Sequence, residues 1–142
     1  MNKYFAIVFL CFITASSFAQ NMNWENDYPT SLKKAHDANK NLIIFFNDGS
    51  DASKERVINN DIFKSKIFKK LSKNSIGLLV ESSQNTEKGR FNTRVISGYN
   101  AYGVFPAIKV INLKANINLP LLTDFDESHI DAFLNQLSQI TK

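Results

Sequence analysis

The sequence predicts an α/β fold in which a mixed sheet of about four strands carries helices on both faces. Three observations lead there. The unbroken apolar run at residues 42–46 has the length of a buried strand and is too short for a buried helix, and the mainly apolar stretches 76–80 and 107–113 read as further strands. The segments between them repeat apolar residues every four positions instead, as in Phe63, Ile67 and Leu71 or Phe91, Val95 and Tyr99, which is the spacing of one helix face. These two patterns alternate along a chain of 142 residues, the size of a single domain.

Taken in order, the elements begin after a polar segment, 21–28, in which Trp24 and Tyr28 are aromatic anchors. A first helix is expected from Pro29, whose fixed φ and missing N–H suit a first turn, through Leu32, Ala35 and Ala38, and Asn39-Lys40-Asn41 ends it. Beyond the strand 42–46, Asn47-Asp48-Gly49-Ser50-Asp51 is a run of turn formers that offers Ser50 or Asp51 as the next N-cap. The helix that follows covers 52–74 and is expected to break near Asn59-Asn60-Asp61. In its second half Lys64, Lys66, Lys69, Lys70 and Lys73 surround the apolar stripe of Phe63, Ile67, Phe68 and Leu71. These lysines read as a solvated face favoured by the negative end of the helix dipole, with an anionic lipid or polysaccharide surface as the alternative. Strand 76–80, a polar stretch 81–90, the helix through Phe91, Val95 and Tyr99, strand 107–113, a short connection 114–116 and strand 117–122 come next. The chain closes with a helix over 126–140 that turns Ile130, Phe133, Leu134 and Leu137 inward. The expected order is α-β-α-β-α-β-β-α.

Composition narrows the chemistry. Charged residues make up 21% and the apolar set 44%, so neither a disordered tail nor a membrane bundle fits. With 12 Phe against 4 Tyr and 1 Trp, the aromatics suit a buried core. A net charge of +4 is too mild to imply nucleic acid as a partner. One cysteine excludes an internal disulfide, a Cys-x-x-Cys pair and zinc on paired thiolates, and His36 and His129 alone do not make a histidine-rich metal site. No cofactor is implied.

Residues 1–19 have the form of a signal peptide: Lys3, an apolar run over 4–13, then small and polar residues ending in Ser17-Phe18-Ala19, which predicts Gln20 as the mature N-terminus and 20–142 as the domain. The apolar run is about half the roughly 20 residues a spanning helix needs. Phe9 and Leu10, ahead of Cys11, do not make a lipoprotein cleavage site. The expected product is exported, periplasmic or secreted, without a transmembrane anchor and without cysteine.

Trp24 and Tyr28, then Ala35, Ala38 and Lys40, then the strand 42–46, Gly49-Ser50-Asp51 and finally Tyr102-Gly103-Val104-Phe105-Pro106 follow one another at separations that resemble the thioredoxin-like superfamily. The closest likeness is to its exported bacterial members of the Bacteroidetes type. The resemblance covers about 24–137 and implies a three-layer α/β/α sandwich. It also lays Ala52 on the family's Trp and Ser53-Lys54-Glu55-Arg56 on its Cys-x-x-Cys. Both sulfurs are absent, so the motif is degenerate and thiol-disulfide exchange has neither an attacking nor a resolving thiol. Pro106 falls on the family's cis-proline, where the preceding residue offers its backbone to an extended bound peptide.

Ser53 has no Gly-x-Ser-x-Gly elbow and no histidine at a recognisable spacing, so it reads as a first-turn residue and not a hydrolytic nucleophile. No catalytic or metal-ligating residues are assigned. The expected function is non-catalytic: a redox-inactive binding or scaffold protein of the cell envelope that engages an extended peptide or an envelope protein. Its candidate binding residues are Asp51, Ala52, Ser53, Lys54, Arg56, Phe105 and Pro106. The alternatives are a thiol-disulfide oxidoreductase-related protein working with a partner's thiols and a basic surface-binding protein.

Overall fold

A computed structural model describes residues 22–81 and 87–141. The leader expected over 1–19, with its cleavage site and Cys11, and residues 82–86 of the polar stretch lie outside the described residues. In chain order the elements are β1 (Trp24–Glu25), α1 (Tyr28–Asp37), β2 (Asn41–Phe46), α2 (Ala52–Val57), a π-helical segment (Ile58–Phe63), α3 (Lys66–Ser72), β3 (Ser75–Val80), α4 (Glu87–Tyr99), β4 (Ala107–Asn112), β5 (Ile117–Asn118) and α5 (Glu127–Ile140).

All six residues of β2 are buried, as the apolar run 42–46 requires, with the polar Asn41 buried at its start. The strand lies in the middle of a five-stranded sheet of order β1-β3-β2-β4-β5. It runs parallel to β3 and antiparallel to β4, with Phe46 opposite both Val80 and Ala107. Because side chains alternate across a strand, Leu42, Ile44 and Phe46 join Ala35, Leu78, Val80 and Val95 in a core that takes in α1 and α4. Ile43 and Phe45 join Ile58, Ile62, Phe68, Leu71, Phe133 and Leu137 on the opposite face, under the π-helical segment, α3 and α5. The result is three layers, helices on both sides of a mixed sheet.

Helix starts follow the polar side chains ahead of them. Asp27 accepts from the Thr30 N–H at 3.0 Å, Asp51 from Lys54 N–H at 3.0 Å, Ser65 from Phe68 N–H at 3.1 Å and Asp126 from His129 N–H at 3.1 Å. Asn39, at φ +52°, turns the chain out of α1 into β2.

Two expectations are corrected and one gains an element. The mixed sheet of about four strands carries a fifth, because Trp24–Glu25 pairs in parallel with Gly77 and Leu78. Two residues of edge strand carry no periodicity, so the pairing was hidden in a polar segment. The 52–74 helix does not break at Asn59-Asn60-Asp61: the backbone widens there into the π-helical segment and breaks at Lys64-Ser65, where Ser65 caps α3. The last strand is shorter than 117–122: beyond Asn118, Leu119 still donates its N–H to the Val110 carbonyl at 3.0 Å, but the next pairing is a bridge between Ile108 and Leu122, so an extra residue bulges out around Pro120 and ends the regular ladder.

β1 is held by an aromatic cluster. The Trp24 ring lies 5.6 Å from Phe45 and 5.5 Å from Phe63, and Phe63 meets Phe68 at 4.8 Å. Gly77 makes room for it, since a Cβ there would fall 2.7 Å from the Met22 sulfur and 2.8 Å from a Trp24 ring carbon. The Met22 side chain is able to yield, but the Trp24 ring is pinned by its neighbours. Gly77→Ala is therefore expected to destabilise the fold by about 1–3 kcal/mol, an overpacking cost, measured by urea denaturation.

On the other face, burial pushes the Tyr28 hydroxyl up to about 12, helped by its hydrogen bond with Tyr99 at the end of α4. Folding raises this pKa, so its contribution is complete below the ordinary tyrosine value near 10 and is lost as pH rises towards 12. Chemical denaturation across pH 9–12 is expected to show a shallower alkaline decline in Tyr28→Phe than in the unaltered protein.

Candidate functional site

The register of β2 and β4 decides what the candidate residues have in common. Phe46 is the last residue of β2 and pairs with Ala107, the first of β4. The turn leaving β2 and the Phe105-Pro106 dipeptide entering β4 therefore share one end of the sheet. The turn is built by its own side chains: Asn47 Oδ1 accepts from Gly49 N–H at 3.2 Å and Asp48 Oδ1 from Ser50 N–H at 3.0 Å, with Gly49 at φ +75°. Hydrogen bonds from the Ser50 hydroxyl and backbone hold the Asp48 carboxyl below its usual range. Asn47 ties the turn to β3 by donating its N–H to the Val80 carbonyl at 3.0 Å.

From there α2 rises. Asp51 caps it, and Ala52, Ser53, Lys54 and Arg56 are all exposed on it. Lys54 Nζ stands 3.8 Å from the Asp51 carboxylate, so one of the two cations is partly balanced within the turn. Arg56 forms no ion pair with a described residue. Across the sheet end, the Phe105–Pro106 bond is cis, Pro106 is buried, and the half-buried Phe105 ring packs edge-on against Phe46 at 6.2 Å. Phe105 thus turns into the core instead of standing out over the turn. The two sets of residues meet through the strand register; no hydrogen bond or ion pair joins them among the described residues.

One part of this end carried no pattern to read. Asn100 is only 1% exposed. Its side-chain amide donates to the Val104 carbonyl at 2.8 Å and its oxygen accepts the Val104 N–H at 3.0 Å. Gly103, at φ +63°, donates its N–H to the Asn100 carbonyl at 2.8 Å. The loop leading to Pro106 is thereby fixed, with Tyr102 96% exposed at its tip. In the sequence Asn100 is simply one of several loop asparagines, since bonds from a side chain to the backbone leave no periodic trace.

Among the described residues no three His, Cys, Asp or Glu side chains gather to hold a metal ion, and no helix is long and apolar enough to cross a membrane.

Solved structures share this architecture. A DsbH oxidoreductase superposes with a TM-score of 0.60 at 19% identity, over 85% of each chain. A thioredoxin from Thermus thermophilus gives 0.60 at 16% identity, over 84% of this chain and 87% of that one. The fold is thioredoxin-like. A disulphide isomerase from Xylella fastidiosa Temecula1 matches at 0.53 and 12% identity, over 80% of this chain and 88% of its own. No protein-family model matches the sequence, and no curated protein does. Identities this low establish the thioredoxin-like frame and leave the chemistry to the residues themselves; Ser53-Lys54-Glu55-Arg56 contains no sulfur.

Removing the Asn100 amide strands the N–H and C=O of Val104. Asn100→Ala is expected to cost about 1–3 kcal/mol in urea denaturation, whereas Tyr102→Ala, at so exposed a position, should stay within about 0.5 kcal/mol.

Proposed function

We propose that the protein is exported and works in the cell envelope as a thioredoxin-fold binding protein without redox chemistry. On this reading Asp51, Ala52, Ser53, Lys54 and Arg56 on one side and Phe105 and Pro106 on the other bound the place where an extended peptide, or a segment of an envelope protein, is held. The observation that carries it is the start of α2, where four consecutive residues, Ser53-Lys54-Glu55-Arg56, occupy the helix's first turns with no thiol among them.

Disulfide exchange needs a thiolate to attack sulfur and a second thiol to resolve the mixed disulfide. A serine hydroxyl is un-ionised at neutral pH and supplies neither. What the turn does present is charge: exposed Lys54 and Arg56, of which Arg56 has no carboxylate partner among the described residues. A planar guanidinium suits a bidentate bond to a carboxylate, so the partner segment is expected to carry Asp or Glu beside a stretch that pairs by its main chain. A second reading, a protein acting in thiol-disulfide exchange through its partner's thiols, draws on the names of the matched DsbH oxidoreductase and disulphide isomerase.

Insulin reduction with a dithiol donor separates the two. The expected outcome is turnover at the uncatalysed rate; acceleration would overturn the non-redox reading. In parallel, partners retained from an envelope extract are expected to be lost when Lys54→Glu and Arg56→Glu are combined, and retention unchanged by that pair would place binding elsewhere.

A further inference from the structure

The far side of the molecule carries a second feature, independent of the peptide-binding reading. Between α1 and α4 an open groove of about 520 Å³ runs along the surface. Its walls are carbon, supplied by Tyr28, Leu32 and Phe91, and its rim is charged. Two of the rim charges cancel: Lys33 and Asp37, one helical turn apart on α1, form a direct ion pair. Arg94 does not. Its guanidinium lies 5.9 Å from the centre of the Phe91 ring, a cation–π contact that holds the positive charge at the groove's edge, and it makes no ion pair with a described residue.

We propose that this groove binds a free single-chain carboxylate, with its apolar tail along Leu32 and Phe91 and its carboxylate on Arg94. The volume lies within the roughly 300–1,000 Å³ of small-ligand pockets. A cation with no ion-pair partner among the described residues, beside a carbon-lined channel, selects for one negative head on an apolar body. A cationic amphiphile meets Arg94 as a like charge, and a neutral one leaves the guanidinium without a partner. Burial, helped by the hydrogen bond with Tyr99, holds the Tyr28 hydroxyl un-ionised, so that wall adds no competing negative charge.

The probe is laurate below its micelle concentration, titrated into the 15N-labelled protein in the processed form that its cells export. Chemical-shift changes are expected to cluster on α1 and α4. Arg94→Gln, at an exposed position, should weaken laurate about tenfold, the loss of one charge-assisted hydrogen bond, and leave the weaker binding of dodecanol unchanged. The proposal is overturned by shifts that map away from the groove, by equal laurate affinity in the variant, or by dodecyltrimethylammonium binding as tightly as laurate. It is equally overturned if anionic phospholipid vesicles bind while monomeric laurate does not, since the surface would then be a membrane contact. A laurate-independent dimer whose interface maps to α1 and α4 would show that the groove is filled by a second copy of the chain.

Discussion

Everything in this fold hangs on one strand with no solvent side. β2 is buried at every residue, so it needs apolar partners above and below and hydrogen-bonded strands on both edges at once. Those demands place β3 and β4 beside it, α1 and α4 over Leu42, Ile44 and Phe46, and the π-helical segment with α3 and α5 over Ile43 and Phe45. A one-residue slip would exchange the two faces of the strand. The register also has a functional consequence. By fixing Phe46 opposite Ala107 it brings the end of β2 and the start of β4 together, and so sets the turn before α2 and the Phe105-Pro106 segment at one end of the sheet.

What the sequence makes legible follows from which constraints are local. The strand at 42–46, the caps Asp51 and the apolar stripe of α5 are visible because burial and capping act on neighbouring residues in the chain. β1 is invisible for the opposite reason. Its two residues are held by rings from β2 and the π-helical segment, and by the missing Cβ of Gly77, none of them near it in sequence. The π-helical segment is a subtler case. Asn59, Asn60 and Asp61 weaken an α-helix by propensity, but Ile58 and Ile62 are fully buried on either side of them. Burial keeps the chain coiled and propensity is met by widening the coil; the true break falls at Ser65, where a side chain is available to cap the next helix.

The candidate site was legible as residues and not as a surface. Asp51, Ser53, Lys54 and Arg56 follow from the turn and its resemblance to a redox motif; Asp51 is the half-buried cap of α2, and the other three are exposed on the helix. Phe105 could not be oriented from sequence, because its direction depends on Phe46 across the register. Asn100 is the clearest omission. A buried amide bonded at both ends to a single residue, Val104, makes the loop before Pro106 a rigid wall of the site, and only the folded chain shows which backbone it reaches.

The start of α2 differs from a thiol-activating helix by more than the missing sulfur. A helix N-terminus lowers the pKa of a nucleophile because its unpaired N–H groups carry partial positive charge. Here Asp51 accepts the Lys54 N–H and puts a carboxylate on that end, while its other oxygen stands 3.8 Å from Lys54 Nζ. The positive potential that would stabilise an anion at position 53 is already spent on the cap. Asp48 and Asp51 in the turn and Glu55 on α2 carry negative charge beside the two cations Lys54 and Arg56, and of these cations only Arg56 makes no ion pair with a described residue. Neither residues 53–56, which contain no sulfur, nor the carboxylate-capped helix end provides an activated thiolate at this end of the sheet.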